Sequence, residues 1–429
     1  MKIGFVSLGC SKNLVDSERI LGLLMSKAEV TNDFSEAEML FVNTCGFIES
    51  AKKESIDTIL ELAEYKKIGK CKKVFVLGCL AQRYVEDLKK SLPEVDRFIT
   101  IKEYPKLKDI LNSEINLNYD NEYGADRIIT NTSWSAYLKI AEGCDNRCAY
   151  CAIPIIRKGF VSEPLEKLVT EAKDLANKGV SELVLIAQDS TRYGMDLYGE
   201  SKLIELLREL NKITSLKWIR ILYMYPDLLS DELIVTMNEL EKVILYFDLP
   251  LQHGSNNMLK LMHRRGSIED FEKKIEKIES LNKPYVLRTT MMVGHPGETE
   301  DDFQKLLQLI AKIKFHKLGA FIYSAEDDTP AYSREKVDPQ IAQERFSKLL
   351  LAQQQYAQER NNELIDSSLE VLIEGFENGL YYGRSIYQAP DGVDGKVYIE
   401  SKEKLNIGAY YFVTITKVNP YDLFAVFEK

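Results

Sequence analysis

The residues best equipped for chemistry are cysteines, of which this 429-residue chain has seven. Three fall in one short stretch, Cys144-Asp145-Asn146-Arg147-Cys148-Ala149-Tyr150-Cys151, a CxxxCxxC loop. Three thiolates on one loop can hold three irons of a cubane cluster and leave the fourth without a protein ligand. An open iron can chelate the amino and carboxylate groups of S-adenosylmethionine (SAM) and pass it one electron. SAM then splits into methionine and a 5′-deoxyadenosyl radical, chemistry that the cofactor carries. The competing reading is a zinc loop, but zinc normally takes four ligands, and no nearby His or fourth Cys supplies one.

Cys10, Cys45 and Cys79 lie 35 and 34 residues apart, about one βα unit each. Each follows the end of an apolar strand-like run: Lys2 to Leu8, Met39 to Val42 and Lys73 to Leu77. In a doubly wound parallel sheet the C-terminal ends of neighbouring strands share one edge, where ligands bind. The three thiols should therefore meet in space. Each alone could be a small buried hydrophobe, yet three at equivalent positions argue for a second metal site. Cys71, among lysines before the third strand, lacks such a position and reads as an ordinary free thiol.

The elements that must position these residues form three domains, in line with a chain longer than one core usually organises. The first βα alternation implies a parallel sheet and ends near Glu122, before a polar linker from Asn116 to Ser133. A second alternation has strand candidates at Ala136 to Ile140, Glu182 to Ala187, Trp218 to Tyr223, Val243 to Phe247, Tyr285 to Val293 and Leu318 to Tyr323, with helices such as Pro164 to Lys178 and Ile268 to Leu281 between them. Six βα units predict a partial barrel rather than a full eight. Gln340 to Leu364 reads as one long helix. Beyond it five short strands, Leu369 to Phe376, Leu380 to Tyr387, Lys396 to Glu400, Tyr410 to Val418 and Leu423 to Phe427, predict a small antiparallel OB-like barrel. The fold class is thus multidomain α/β, with domains over 1–122, 133–364 and 366–429.

Chemistry in a βα barrel sits at the C-terminal ends of the strands. Those ends carry Gln188 and Asp189, Tyr223 and Tyr225, Gln252 and His253, then Arg288 and Thr290 on the fifth strand. Gln188, Asp189, Arg288 and Thr290 are the candidates for holding SAM. An Arg in an apolar strand needs a counter-charge, either the SAM carboxylate or a protein acid. His253 and His295 read as hydrogen-bonded structural histidines. The turn Gly294-His295-Pro296-Gly297-Glu298-Thr299 lacks the ending of a phosphate loop.

Composition narrows the setting. With 45% hydrophobic and 28% charged residues the chain is an ordinary globular protein. The apolar run at its first residues is too short and interrupted to read as a signal peptide, and no stretch reaches membrane length, which predicts a cytoplasmic protein without membrane contact. Disulfides are not expected there, leaving metal or catalysis for the cysteines. A net charge of -10 disfavours nonspecific binding to polyanions.

The loop and its continuation, Gly143 to Cys151, Ala152-Ile153-Pro154 and Arg157, resemble the signature of radical SAM methylthiotransferases. Lys158 stands where that family usually has Gly, Glu163 where Arg is frequent, and His295 where the turn usually has Phe. The N-terminal segments Gly9-Cys10-Ser11-Lys12-Asn13-Leu14-Val15-Asp16-Ser17-Glu18, Asn43-Thr44-Cys45-Gly46-Phe47-Ile48 and Gly78-Cys79-Leu80-Ala81-Gln82-Arg83 resemble the same family, and the C-terminal barrel its TRAM domain. The resemblance spans essentially the whole chain. It implies two 4Fe-4S clusters, one on Cys144, Cys148 and Cys151 and an auxiliary one on Cys10, Cys45 and Cys79 that carries the sulfur to be inserted. It also implies SAM as methyl donor and radical source, and a reductase or flavodoxin-like electron donor. A non-methylthiolating radical SAM enzyme or an iron-sulfur electron carrier are the readings outside the family.

Ser7-Leu8-Gly9-Cys10-Ser11-Lys12-Asn13, Gly383-Arg384-Ser385, Ala389-Pro390 and Val393-Asp394-Gly395 resemble the branch that acts on an aspartate of small-subunit ribosomal protein twelve. The branch acting on a tRNA adenosine usually has a different first motif. From Asp366 to Lys429, ten acidic residues stand against six basic ones, a charge of -4 that would repel tRNA and suit a basic protein substrate.

Overall fold

The computed structural model describes residues 1–115, 119–390 and 392–428. Asn116 to Asn118 of the linker, and Asp391 and Lys429 of the C-terminal charge count, lie outside the described residues. The N-terminal domain is one parallel sheet of β1 (Lys2–Ser7), β2 (Glu29–Val30), β3 (Met39–Thr44), β4 (Lys73–Gly78) and β5 (Arg97–Ile99), in the order β2-β1-β3-β4-β5. β3 is buried along its whole length, as a parallel strand covered on both faces must be. Helices α1 (Ser11–Leu24) and α4 (Leu107–Ile115) cover one face with Ile20, Leu23, Leu107 and Leu111, while α2 (Glu49–Ile68) and α3 (Cys79–Ser91) cover the other with Ile59, Leu62, Leu80 and Leu88. The sheet is doubly wound as expected.

The central domain holds the six expected parallel strands: β6 (Ser135–Lys139), β9 (Glu182–Ile186), β10 (Trp218–Ile221), β11 (Leu245–Asp248), β12 (Tyr285–Val293) and β13 (Lys317–Ile322). They form two three-stranded halves, β10-β9-β6 and β11-β12-β13, joined by a bridge from Ile219 to Val243. A two-residue hairpin of β7 (Ala141–Glu142) and β8 (Val161–Ser162) closes the base of the cysteine loop. The long helix, Pro339–Asn362, starts where Asp338 caps Gln340 and Ile341. It buries the stripe Ala342, Arg345, Leu349, Gln353, Ala357 and Asn361, at a helix's spacing of three and four.

The C-terminal domain is a closed barrel of β14 (Ser368–Glu377), β15 (Leu380–Arg384), β16 (Val397–Ser401), β17 (Tyr410–Val418) and β18 (Leu423–Phe427), in the order β14-β15-β16-β18-β17. Its strands are not all antiparallel, because β16 and β18 run parallel. The chain leaves β16, crosses to form β17 beside β14, and returns alongside β16, which closes the cylinder.

The three domains meet through the lumen of the central barrel. Its inward side chains Tyr137, Val184, Ile186, Ile244, Tyr246 and Val286 form one apolar cluster with Val15 from α1 and with Leu372 and Ala389 from the C-terminal barrel. Among the described residues no helix is long and apolar enough to cross a membrane.

Candidate metal centres

Cys10 follows β1 and caps α1, Cys45 follows β3, and Cys79 is the first residue of α3 after β4. Gly9, with φ +90°, makes this meeting possible: a Cβ there would lie 3.0 Å from the Cys45 Cβ and 3.4 Å from its Sγ. Buried Asn13 ties the two loops together by donating from Nδ2 to Leu8 O and Thr44 O, each at 3.0 Å. Ser55 holds Cys45 by accepting from its N–H at 3.0 Å and donating to its carbonyl at 2.9 Å. Cys10 faces solvent, Cys45 is half-buried and Cys79 is buried. Burial pushes the Cys79 thiol up to about 12 against the pull of nearby Arg157. At Cys10 the crowded surroundings also oppose ionisation, but Lys12 and Arg157 outweigh them and hold that thiol below its ordinary value. Cys71 packs into the N-terminal core and points its Sγ at Lys73 O, 3.4 Å away.

The second trio sits on the loop after β7. Cys144 N–H donates to Lys158 O at 3.1 Å, Ala149 N–H to Met262 O at 2.9 Å, and Ala149 O accepts from Ala331 N–H at 2.9 Å, so the loop is pinned at its base and tip. Arg264 approaches Cys148 Sγ at 3.8 Å and stacks 3.8 Å over the Tyr225 ring, whose hydroxyl is also 3.8 Å from that sulfur. Burial pushes Cys144 up to about 11 and Cys151 higher still, and the neighbouring thiols add to the effect in both. Iron must therefore displace protons to bind. Among the described residues no three Cys, His, Asp or Glu side chains close tightly enough to hold a single metal ion. What the donor sets offer is two trios of soft thiols.

The SAM candidates separate. Gln188 and Asp189 stand at the cysteine loop. Gln188 Nε2 donates to Glu142 Oε1 at 3.1 Å while its own Oε1 is buried without a hydrogen bond. Asp189 accepts from Asn146 of the loop at 2.7 Å and from Thr191 at 2.5 Å, and burial raises its carboxyl above the usual range. Thr290 lies over Gly319 across β12 and β13. Arg288 turns its guanidinium toward Asp248 at 3.7 Å and Asp394 of the C-terminal barrel at 3.9 Å. Protein carboxylates supply its counter-charge. Both histidines are buried and hydrogen-bonded. His253 accepts from Ser255 N–H at Nδ1 and meets Glu298 at 3.0 Å through Nε2. His295 is bonded to Pro296 O at 3.0 Å and lowered to about 4 by burial.

Sequence reasoning overlooked a buried network between the trios. Arg157, at the end of α5 (Ile153–Ile156), donates to Cys79 Sγ at 3.3 Å, Asp16 at 3.1 Å and Glu142 at 2.8 Å, and also to Asn13. Lys139 completes it, bonded to Asp16 and to Glu142 at 2.7 Å. Alongside, Ala152 and Ile156 pack on Cys79. A signal was present: Lys139 ends an apolar strand, and a charge there needs partners.

A parallel partial barrel with a three-thiol loop after its first strand, faced by a second trio from a doubly wound domain, defines a radical SAM enzyme with an added cysteine site. Family models agree with each part: "Uncharacterized protein family UPF0004" matches residues 2–100, "Radical SAM superfamily" 138–310 and "TRAM domain" 365–427. The fold also resembles the radical S-adenosylmethionine methyltransferase TsrM from Kitasatospora setae, solved with cobalamin and a [4Fe-4S] cluster, with a TM-score of 0.57 at 13% identity over 77% of each chain. Full-length relatives are the ribosomal protein uS12 methylthiotransferases RimO of Clostridium botulinum (strain Eklund 17B / Type B), 46% identical over 100% of this chain and 98% of that protein, and of Clostridioides difficile (strain 630), 47% identical over 99% and 98%. The chain belongs to the ribosomal protein uS12 methylthiotransferase RimO family.

Proposed function

We propose that this chain methylthiolates ribosomal protein uS12 at the β-carbon of an aspartate, using SAM and two 4Fe-4S clusters. The observation that carries the reading is the approach of two cysteine trios from different domains across one buried network, with Arg157 reaching from the loop of one to Cys79 of the other. On this reading Cys144, Cys148 and Cys151 hold the SAM-binding cluster, and Cys10, Cys45 and Cys79 the auxiliary one. When bound, these groups supply a radical that removes hydrogen from an unactivated carbon and the sulfur that takes its place.

The protein's own groups bind, orient and exclude water. Gln188 Oε1, Asp189, Arg288 and Thr290 are the polar candidates for SAM, Arg288 lying also within ion-pair distance of Asp248 and Asp394. Arg264 and Tyr225 shield Cys148, and the apolar cluster in the lumen closes the barrel below. The domain bounds 1–122, 133–364 and 366–429 belong to the same reading, as does a reductase or flavodoxin-like electron donor. The acidic C-terminal barrel suits a basic protein better than RNA.

The test is anaerobically reconstituted enzyme given uS12 and, separately, bulk tRNA, with products read by mass spectrometry. Methylthiolated aspartate in uS12 is expected; modification of tRNA alone would sink the assignment.

A further inference from the structure

Arg157, on the segment that follows the loop cysteines, reaches the sulfur of Cys79 from the other domain. Its side chain is 1% exposed, and all its nitrogens are engaged: Nε with Cys79 Sγ at 3.3 Å, one terminal nitrogen with Asp16 and Glu142, the other with Asn13. Asp16 and Glu142 are already answered by Arg157 and Lys139, two cations for two carboxylates. The Cys79 sulfur is thus the further negative group once it binds iron. In the thiol form Cys79 has Asn13 Oδ1 as a hydrogen-bond acceptor at 3.5 Å, a partner that a thiolate cannot use. Arg157 Nε–H remains.

We propose that Arg157 is a positioning residue that holds Cys79 for the auxiliary cluster and raises that cluster's reduction potential. Reduction adds one electron, and so one negative charge, to a cluster whose ligand sulfur accepts a hydrogen bond from a buried guanidinium. Such bonds and charges favour the reduced state. Because Arg157 sits on the segment that carries the other three cysteines, correct seating of the SAM loop would tune the auxiliary cluster. This inference rests on the reading of Cys10, Cys45 and Cys79 as ligands.

The test uses the full-length, anaerobically reconstituted protein, its Arg157→Lys and Arg157→Gln variants, and a Cys10/Cys45/Cys79→Ala control. Each is assayed for iron and titrated with dithionite under electron paramagnetic resonance, with SAM added to mark the loop cluster's signal. Arg157→Lys should keep about eight irons and shift only the auxiliary couple to lower potential, by about tenfold in its reduction equilibrium, about 59 mV for one electron. Arg157→Gln should shift it at least as far. An unmoved auxiliary couple in a fully loaded Arg157→Lys protein, or equal shifts in both couples, overturns the proposal. Loss of about four irons from both Arg157 variants overturns the claim on potential and leaves Arg157 as a clamp for Cys79 alone. If the triple Ala control keeps all its iron, the ligand reading itself has failed, a result separate from any shift in potential.

Discussion

Cys71 and Cys79 are near neighbours in sequence and both buried, and burial raises both thiols. Only Cys79 stands at a strand's C-terminal end with a guanidinium on its sulfur. Cys71→Ser should leave the iron content unchanged. Replacing Cys10, Cys45 and Cys79 together with Ala should lower it from about eight to about four irons, with SAM cleavage retained. A colorimetric iron assay decides both, and iron lost from the Cys71 variant would mean a wrong third ligand. Since burial holds free Cys79 at about 12 and free Cys144 at about 11, and the ligand is the thiolate, reconstitution must release protons. Iron uptake at limiting iron should therefore rise with pH between mildly acidic and mildly alkaline buffer. Uptake independent of pH would contradict that picture.

Among the elements, the Gly9 turn shows how narrowly the sites are built. A side chain there meets both a left-handed backbone and the Cys45 side chain, so Gly9→Ala should cost about 1–3 kcal/mol in denaturant unfolding and empty the auxiliary site before the loop site. Such geometry was only partly legible in the sequence. The long strands read correctly to within a residue or two, because the apolar runs of β3 and β4 and the alternation of β17 are local signals. β2 and β5, of two and three residues, are too short to show a period. The parallel β16–β18 pairing escaped because a strand's neighbour depends on how the chain crosses, which no local pattern records. The cysteines stood out by spacing, whereas Asp16, Glu142, Lys139 and Arg157 lie up to 141 positions apart and are joined only by the docking of two domains. That Asp394 would be one of the acids facing Arg288 was not legible either, since it comes from another domain.

At the scale of the molecule, the C-terminal barrel is locked to the central one by charge as well as by apolar packing. Glu182 is fully buried and accepts from Arg384 at 2.6 Å and Arg220 at 3.2 Å. Burial pushes its carboxyl up, but the two guanidiniums prevail and hold it at about 2. A depressed carboxyl contributes stability that is complete above its unfolded value, near 4.5, and is lost as pH falls toward about 2. The melting temperature should therefore drop through that window, and Glu182→Gln should remove this part of the pH dependence. At neutral pH the variant should be about 3–5 kcal/mol less stable, since buried Arg220 loses its carboxylate and Arg384 keeps only Glu374. Exposed Glu377 and Glu400 of the same barrel offer a test of substrate steering. Changing both to Lys should raise KM for uS12 most at low salt while leaving kcat in place, and an unchanged KM would remove the barrel's charge from substrate choice. The apolar cluster that runs from Val15 through the lumen to Leu372 and Ala389 bears on chimera construction. The last domain cannot be exchanged for that of another enzyme as a cassette joined at the end of the long helix. A graft must bring the matching lumen side chains with it, or the recipient will retain a hollow at the heart of its catalytic domain.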